Sequence, residues 1–154
     1  MHVAAAALVL VAGLAPFAAQ AAESSALYDT HCALCHQRGG AGAPGQFPRL
    51  AGRIATIAAD ARGRAYLVSV VRNGLSGSIS VDGTTLTGLM PPLPQLEAQE
   101  VATILNYLAS LPPAPKQKPQ RFSAAEVTTV SQQLLPPQQL PAERQSLVNA
   151  GVIP

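Results

Sequence analysis

Two cysteines and a histidine form the most chemically suggestive pattern in this sequence, Cys32-x-x-Cys35-His36. At this spacing, two thiols on one helical turn can bond the vinyl groups of a haem, and the next residue can present its imidazole to the iron. The chain has only these two cysteines, so the pattern uses both. The motif therefore predicts one haem c, covalently attached through Cys32 and Cys35, with His36 as an iron ligand.

A haem that transfers electrons needs a second axial ligand on its other face. After the first 21 residues, the conventional candidates besides His36 are His31 and Met90. His31 lies too close to the cysteines in sequence to reach the opposite face. Met90 is therefore the predicted distal ligand, although a lone methionine more often fills a gap in a hydrophobic core.

The same cysteine spacing also occurs in thiol redox sites and in zinc sites. Redox thiols of this type follow a strand in a βαβ unit, and no such pattern surrounds residue 32. Structural zinc needs four ligands, whereas two cysteines and two nearby histidines stand here without a second cluster. Both remain weaker alternatives to haem attachment.

The N-terminal segment has the composition of an export signal. Residues 3–22 are uncharged and rich in Ala, Leu and Val, and Ala19-Gln20-Ala21 has the small-x-small form that signal peptidase recognises. We therefore expect a signal peptide over residues 1–21 and a periplasmic protein. An uncleaved anchor is the alternative, because about 20 uncharged residues just span a bilayer. It would associate the protein with a membrane, but the alanine content and Pro16 argue against it.

Hydrophobic periodicity and turn signals predict helices joined by irregular segments. Asp82-Gly83 predicts a small hairpin or long loop over Ser78–Thr87, and Gly88–Pro92 should be stiff and non-helical. Pro136, Pro137 and Pro141 should break helices in the C-terminal part. The predicted helices are Ser24–His36, Asp60–Arg72, Glu97–Leu111, a short one from Ser123, and Ala142–Asn149.

Length and charge limit the remaining possibilities. The 154 residues fit one domain over 23–112, followed by a proline-rich linker and tail over 113–154 that is either a docking element or a solvated extension. The net charge of +2, with no run of basic residues, gives no indication of nucleic-acid binding. Because there is no Trp, the core must be mostly aliphatic, and a buried porphyrin would fill it well.

Four motifs in this chain resemble those of class I (mitochondrial-type) bacterial monohaem cytochromes c. They are Tyr-x-x-x-Cys-Ala-x-Cys-His from Tyr28, Phe-Pro-x-Leu-Ala-Gly-Arg from Phe47, Gly-x-Met-Pro-Pro from Gly88, and Glu-Val-Ala-x-Ile-Leu-Asn-Tyr-Leu from Glu100. They appear in the family's order and cover about Ser24 to Leu111.

This resemblance implies an all-α fold with the first and last helices of the domain crossed beside the haem. The small hairpin or loop insertion before Met90, which Asp82-Gly83 predicts, departs from the shortest members of the family. Tyr28 and Tyr107 would pack near the crossing. Pro48 would offer its carbonyl to the Nδ1–H of His36 and so fix the ring. Leu50 would pack against the porphyrin, and Arg53 would reach a haem propionate, with a solvated arginine as the alternative.

The resemblance also implies a function. It indicates an electron carrier rather than an enzyme, passing single electrons between donor and acceptor proteins of a respiratory chain. A haem-bearing subunit of a membrane-associated dehydrogenase or oxidase is the nearer alternative. A haem enzyme is the more distant one, since it needs an open sixth coordination site that Met90 would close.

Overall fold

The computed structural model describes residues 15–113 and 119–154, with side chains from residue 21 onward. The described part of the chain is mostly helical, as the sequence predicts, and contains one small two-stranded sheet. The helices are α1 Ala15–His31, α2 Ala33–His36, α3 Ile54–Ile57, α4 Ala61–Asn73, α5 Ala98–Ser110, α6 Ala124–Ser131 and α7 Leu140–Asn149, and the strands are β1 Leu75–Val81 and β2 Thr84–Met90.

The first helix begins earlier than the sequence predicts. The sequence predicts a start at Ser24, where Ser24 or Ser25 could cap the helix, but both hydroxyls donate to the carbonyls of Ala21 and Ala22 from inside α1. The alanine-rich residues before them have high helix propensity and carry the helix back to Ala15. The sequence predicts one continuous helix over Ser24–His36. In the structure the chain leaves helical geometry at Cys32, so α1 and α2 are separate helices.

The predicted signal peptide lies only partly within the described residues, since residues 1–14 fall outside them. Among the helices that the structure describes, none has both the length and the apolar character needed to cross a membrane.

Local signals set the ends of α4. The Asp60 carboxylate accepts a hydrogen bond from the Gly63 amide at 3.0 Å and caps the first turn. At the other end, Gly74 has a φ of 71° and donates its amide to the Val70 carbonyl at 2.9 Å. A Cβ at Gly74 would overlap the carbonyl oxygen of Met90, so glycine lets the end of α4 approach the end of β2 closely.

The hairpin is longer than the predicted stretch. Strands β1 and β2 pair antiparallel from Leu75–Met90 at the base to Val81–Thr84 at the tip. Asp82 and Gly83 form the two-residue turn with φ of 51° and 77°, the positive values that a tight hairpin turn requires. Residues 88–90 are non-helical as expected, but they belong to the end of β2 rather than to a separate segment.

The helix crossing implied by the resemblance is present. Helix α1 packs on α5, and the rings of Tyr28 and Tyr107 lie 5.2 Å apart, inclined at 41°. One face of α5 fills the core with apolar side chains. The buried residues of this face are Val101, Ala102, Ile104, Leu105 and Leu108.

The tail folds onto the domain. Helix α6 packs on α4 and α5, and α7 packs on α4 and β1. Leu140 and Leu147 are fully buried in the shared core, so residues 119–154 are not a solvated extension. Pro141 does not break α7, because it lies in the first turn, where its missing amide hydrogen has no helical partner. Residues 114–118 of the predicted linker lie outside the described part.

Candidate functional site

The Cys-x-x-Cys-His segment consists of Cys32, which separates α1 from α2, and the single helical turn of α2 itself. The amides of Cys35 and His36 both donate to the Cys32 carbonyl, at 3.3 Å and 2.9 Å. The two cysteines are therefore about one helical turn apart, both are half-buried, and they are not joined in a disulfide. This arrangement suits attachment of one planar group at two neighbouring positions.

His36 is held by one hydrogen bond from a distant loop. Its ring is buried, with 8% of the residue exposed, and Nδ1 lies 3.0 Å from the Pro48 carbonyl oxygen. A carbonyl only accepts, so Nδ1 carries the hydrogen and the lone pair is on Nε2. Burial lowers the pKa of His36, although the carbonyl contact opposes this shift. The ring is therefore neutral, which is the form that ligates a metal.

The loop that carries Pro48 has its own steric requirement. Gly42 has a φ of 72°, and a Cβ there would lie 2.6 Å from the Arg49 amide nitrogen and 2.7 Å from the Phe47 carbonyl oxygen. Only glycine allows the two sides of the loop to approach this closely. The amide of Gly42 donates in turn to the His36 carbonyl at 2.8 Å, which ties the loop to the end of α2.

Two alternative uses of the cysteines find no support. Burial, reinforced by the neighbouring Cys35, raises the pKa of the Cys32 thiol to about 11, whereas redox-active thiols have lowered pKa values. Among the residues that the structure describes, no group of three or more His, Cys, Asp or Glu side chains could hold a metal ion. The site therefore does not resemble a zinc centre.

Met90 lies on a different element from the histidine. It ends β2, pairs with Leu75 at the base of the hairpin, and is half-buried before Pro91 and Pro92. The structure thus brings His36 and Pro48 together and gives Met90 a well-defined backbone position. The pairing of Met90 with His36 across a haem remains a prediction.

Leu50 and Arg53 lie on the segment that follows Pro48. Leu50 packs against the hydrophobic core. Arg53 is buried, and it donates through Nη1 to Asp82 Oδ1 at 2.8 Å and through Nη2 to the carbonyl oxygen of Pro154. Its partners in the described structure are therefore an aspartate and the last residue, and its expected role toward a propionate stays a prediction.

The sequence interpretation missed three residues around Arg53. Asp82 was assigned only to a turn, yet it also binds Arg49 through both carboxylate oxygens, at 2.9 and 3.0 Å. Arg144, on α7, donates to the Ser80 carbonyl at 2.8 Å. These contacts join residues 33 and 64 positions apart, and no local pattern could have indicated them.

Arg49, Arg53 and Arg144 line a cavity of about 490 Å³ between α3, β1 and α7. None of the cysteines, His36 or Met90 belongs to its lining, so this basic cleft is separate from the Cys-x-x-Cys-His turn.

Two leucines are prominently exposed beside the predicted haem residues. Leu34, between the cysteines, is 89% exposed, and Leu89, next to Met90, is 71% exposed.

The family model described as "Cytochrome c" matches residues 21–112 of the chain. The chain belongs to the cytochrome c family. Its similarity is to class I monohaem proteins, as the four motifs predicted. A cytochrome c-552 of Thermus thermophilus is 41% identical over 145 residues, covering 92% of this chain and 94% of the relative. Another Thermus thermophilus cytochrome c-552 is 42% identical over 130 residues, covering 82% and 97%.

Family membership settles the cofactor and the general function. Cytochromes c carry haem c attached through a cysteine pair, and Cys32 and Cys35 are that pair here. The chain is an electron carrier that interacts with redox partner proteins. The tail, although outside residues 21–112, is shared with at least one relative, because a match to 92% of the chain must include most of residues 113–154.

Proposed function

We propose that this cytochrome is a periplasmic carrier of single electrons between respiratory-chain partners, with His36 and Met90 as the axial ligands of its haem. The observation that carries the proposal is the hydrogen bond between His36 Nδ1 and the Pro48 carbonyl, because it leaves Nε2 free in a buried, fixed ring. When bound, the haem supplies one-electron exchange between its ferric and ferrous states.

The protein's own residues hold that cofactor without doing bond-making chemistry. Cys32 and Cys35 anchor it, and the Pro48 carbonyl makes His36 a better donor by polarising its Nδ1–H bond. Met90 is a soft, neutral ligand at the end of a regular strand, which favours the ferrous state. Two ligands on rigid elements keep the reorganisation small when the electron arrives or leaves.

Absorption spectroscopy tests the ligand assignment directly. Protein made in a host with haem-ligation machinery is recorded oxidised and reduced, then extracted with acid acetone. We expect haem that stays with the polypeptide, a sharp reduced α band and a weak far-red iron–sulfur band when oxidised. Covalent haem without the far-red band would refute Met90 as the ligand.

Two features support a free carrier rather than a permanent subunit. The tail is folded against its own domain, so residues 119–154 do not form a loose docking arm. Leu34 and Leu89 are exposed apolar side chains adjacent in sequence to Cys35 and Met90, which suits brief, weak docking of a redox partner. Stable co-purification with a large membrane complex would contradict this part of the proposal.

The proposed location depends on a signal peptide over residues 1–21. Its removal would leave residues 22–154 as the mature protein, with the proposed domain at 23–112 and the tail at 113–154. We expect a periplasmic fraction whose haem-bearing chain starts at Ala22, measured by intact mass. A membrane fraction in which the haem-bearing chain retains residues 1–21 would instead establish an uncleaved anchor.

A further inference from the structure

We infer that Asp82 is a positioning residue for both axial ligands, because it ties the hairpin that carries Met90 to the loop whose Pro48 carbonyl orients His36. The inference rests on the proposed His36 and Met90 ligation. It assigns to the hairpin turn a role in electron transfer that its Asp-Gly sequence does not suggest.

At the hairpin tip, the Asp82 carboxylate makes a two-point contact with one arginine and a single contact with a second. Arg49 donates to the carboxylate through Nε and Nη2, at 2.9 and 3.0 Å, and Arg53 donates through Nη1 at 2.8 Å. The Arg53 side chain is only 7% exposed, while that of Asp82 is 46% exposed. Isolated surface pairs contribute little, but a planar two-point contact that also engages a buried guanidinium fixes geometry.

On the histidine side, the connection is short. Arg49 directly follows Pro48, and its third guanidinium nitrogen donates to the Ala51 carbonyl. The arginine therefore spans the loop just after the carbonyl that accepts from His36. If Asp82 holds Arg49, it also limits the movement of the Pro48 carbonyl.

On the methionine side, the paired strands of the hairpin connect the Asp82 turn to Met90. Six residue steps along β2 place Thr84 and Met90 about 20 Å apart. The base is fixed by the close approach of Gly74 to the Met90 carbonyl. Near the tip, Arg144 donates to the Ser80 carbonyl one residue pair from the turn, and Asp82 holds the turn itself. The hairpin that carries Met90 is therefore held at both of its ends.

The test compares two holo-protein variants. Asp82→Asn removes the charge but keeps a residue that accepts the positive φ of the turn. Glu143→Gln is the matched control, since Glu143 pairs with Arg62 at 3.0 Å and joins α4 to α7 rather than the tip to the loop. The far-red band of the oxidised protein and the far-ultraviolet circular dichroism are followed together on heating.

We expect Asp82→Asn to lose the far-red band at a lower temperature than its helicity. At 25 °C the fraction of protein lacking the band should rise about five- to tenfold, the effect of weakening two partly exposed ion pairs. Its reduction potential should also fall, because the Met-ligated state becomes less populated. Glu143→Gln should lose the band and the helicity together, with an unchanged potential.

Three results would separate the possible failures. A parent protein without a far-red band would refute the proposed ligation itself. A normal parent band that is equally stable in Asp82→Asn would refute the positioning role alone. Parallel loss of band and helicity in Asp82→Asn, as in Glu143→Gln, would make Asp82 a purely structural residue.

Discussion

At the scale of single residues, uncharged backbone groups make the direct contacts to the proposed axial ligands. The Pro48 carbonyl accepts from His36, and the Gly74 backbone leaves room for the Met90 carbonyl. These contacts add no charged side chain beside the proposed ligands, and a setting without added negative charge disfavours the additional positive charge of ferric haem. We therefore expect a fairly high reduction potential.

Replacing the proposed distal ligand should change the spectrum and the potential together. Met90→Ala should abolish the far-red band and the low-spin character, and lower the potential by at least about 0.1 V, within the roughly 0.8 V range that axial ligands control. Optical redox titration measures both. Leu89→Ala is the control, because Leu89 is the exposed neighbour and its loss should alter neither. An unchanged spectrum in Met90→Ala would remove Met90 from the site.

The Asp82 contact also predicts an acid dependence. The guanidinium of Arg49, together with that of Arg53, holds the pKa of Asp82 below its usual range, and Arg144 and the end of the chain at Pro154 also face this cleft. A carboxylate with a lowered folded pKa stabilises the protein at neutral pH, and this contribution disappears as the pH falls below about 4. Thermal melts between pH 7 and pH 3 should therefore lose less stability in Asp82→Asn than in the parent.

At the scale of elements, the loop around Pro48 is constrained by close backbone contacts at Gly42. Gly42 and Gly45 have nearly the same φ, 72° and 75°, but only Gly42 is surrounded by backbone atoms. Gly45 has nothing within 4 Å of a Cβ position. Comparing the two glycines therefore separates the energetic cost of a positive φ from the cost of steric overlap with neighbouring atoms.

Alanine at these two positions should therefore have unequal effects. Gly45→Ala incurs only the strain of a positive φ, about 1 kcal/mol, whereas Gly42→Ala must also displace Phe47 and Arg49. We expect Gly42→Ala to cost about 2–3 kcal/mol more in the free energy of unfolding. Denaturant titration of both holo-proteins measures this difference. Equal losses would show that the loop relaxes easily.

The sequence predicted those elements whose signals are local. The signals for the helix predicted over Asp60–Arg72, the α5 periodicity and the Asp82-Gly83 turn all lie within a few residues of the structures they specify. The start of α1 was wrong because serines inside an alanine-rich run can bond within the helix instead of capping it. The Cys-x-x-Cys-His motif predicted the cofactor, because covalent attachment leaves a fixed spacing.

The arginine contacts were not predictable in this way. Arg49 reaches Asp82, and Arg64 pairs with Glu126 while it stacks on the Phe122 ring at 3.9 Å. Each contact joins parts of the chain far apart in sequence, and no periodicity records such a pairing. The burial of the tail was missed for the same reason, since a proline-rich linker suggested independence.

At the scale of the whole molecule, the cofactor and the tail complete one core. The domain of about ninety residues has a modest apolar interior of its own, and a porphyrin would add much to it. We expect Cys32→Ala/Cys35→Ala protein, which cannot attach haem, to be largely unfolded. Circular dichroism on heating tests this expectation. A cooperative melt with native-like helicity would show that the polypeptide folds without its haem.

The tail should contribute to stability through buried side chains rather than through its length. Leu147 is fully buried between α7 and the domain, whereas its neighbour Val148 is 38% exposed. Leu147→Ala should therefore cost about 2–5 kcal/mol in the free energy of unfolding, and Val148→Ala well under about 1 kcal/mol. Chemical denaturation of both holo-proteins, followed by the haem band and by helicity, measures the two costs. If the tail folds as one unit with the haem domain, both signals should shift together in Leu147→Ala; separate transitions would make the tail an independent appendage.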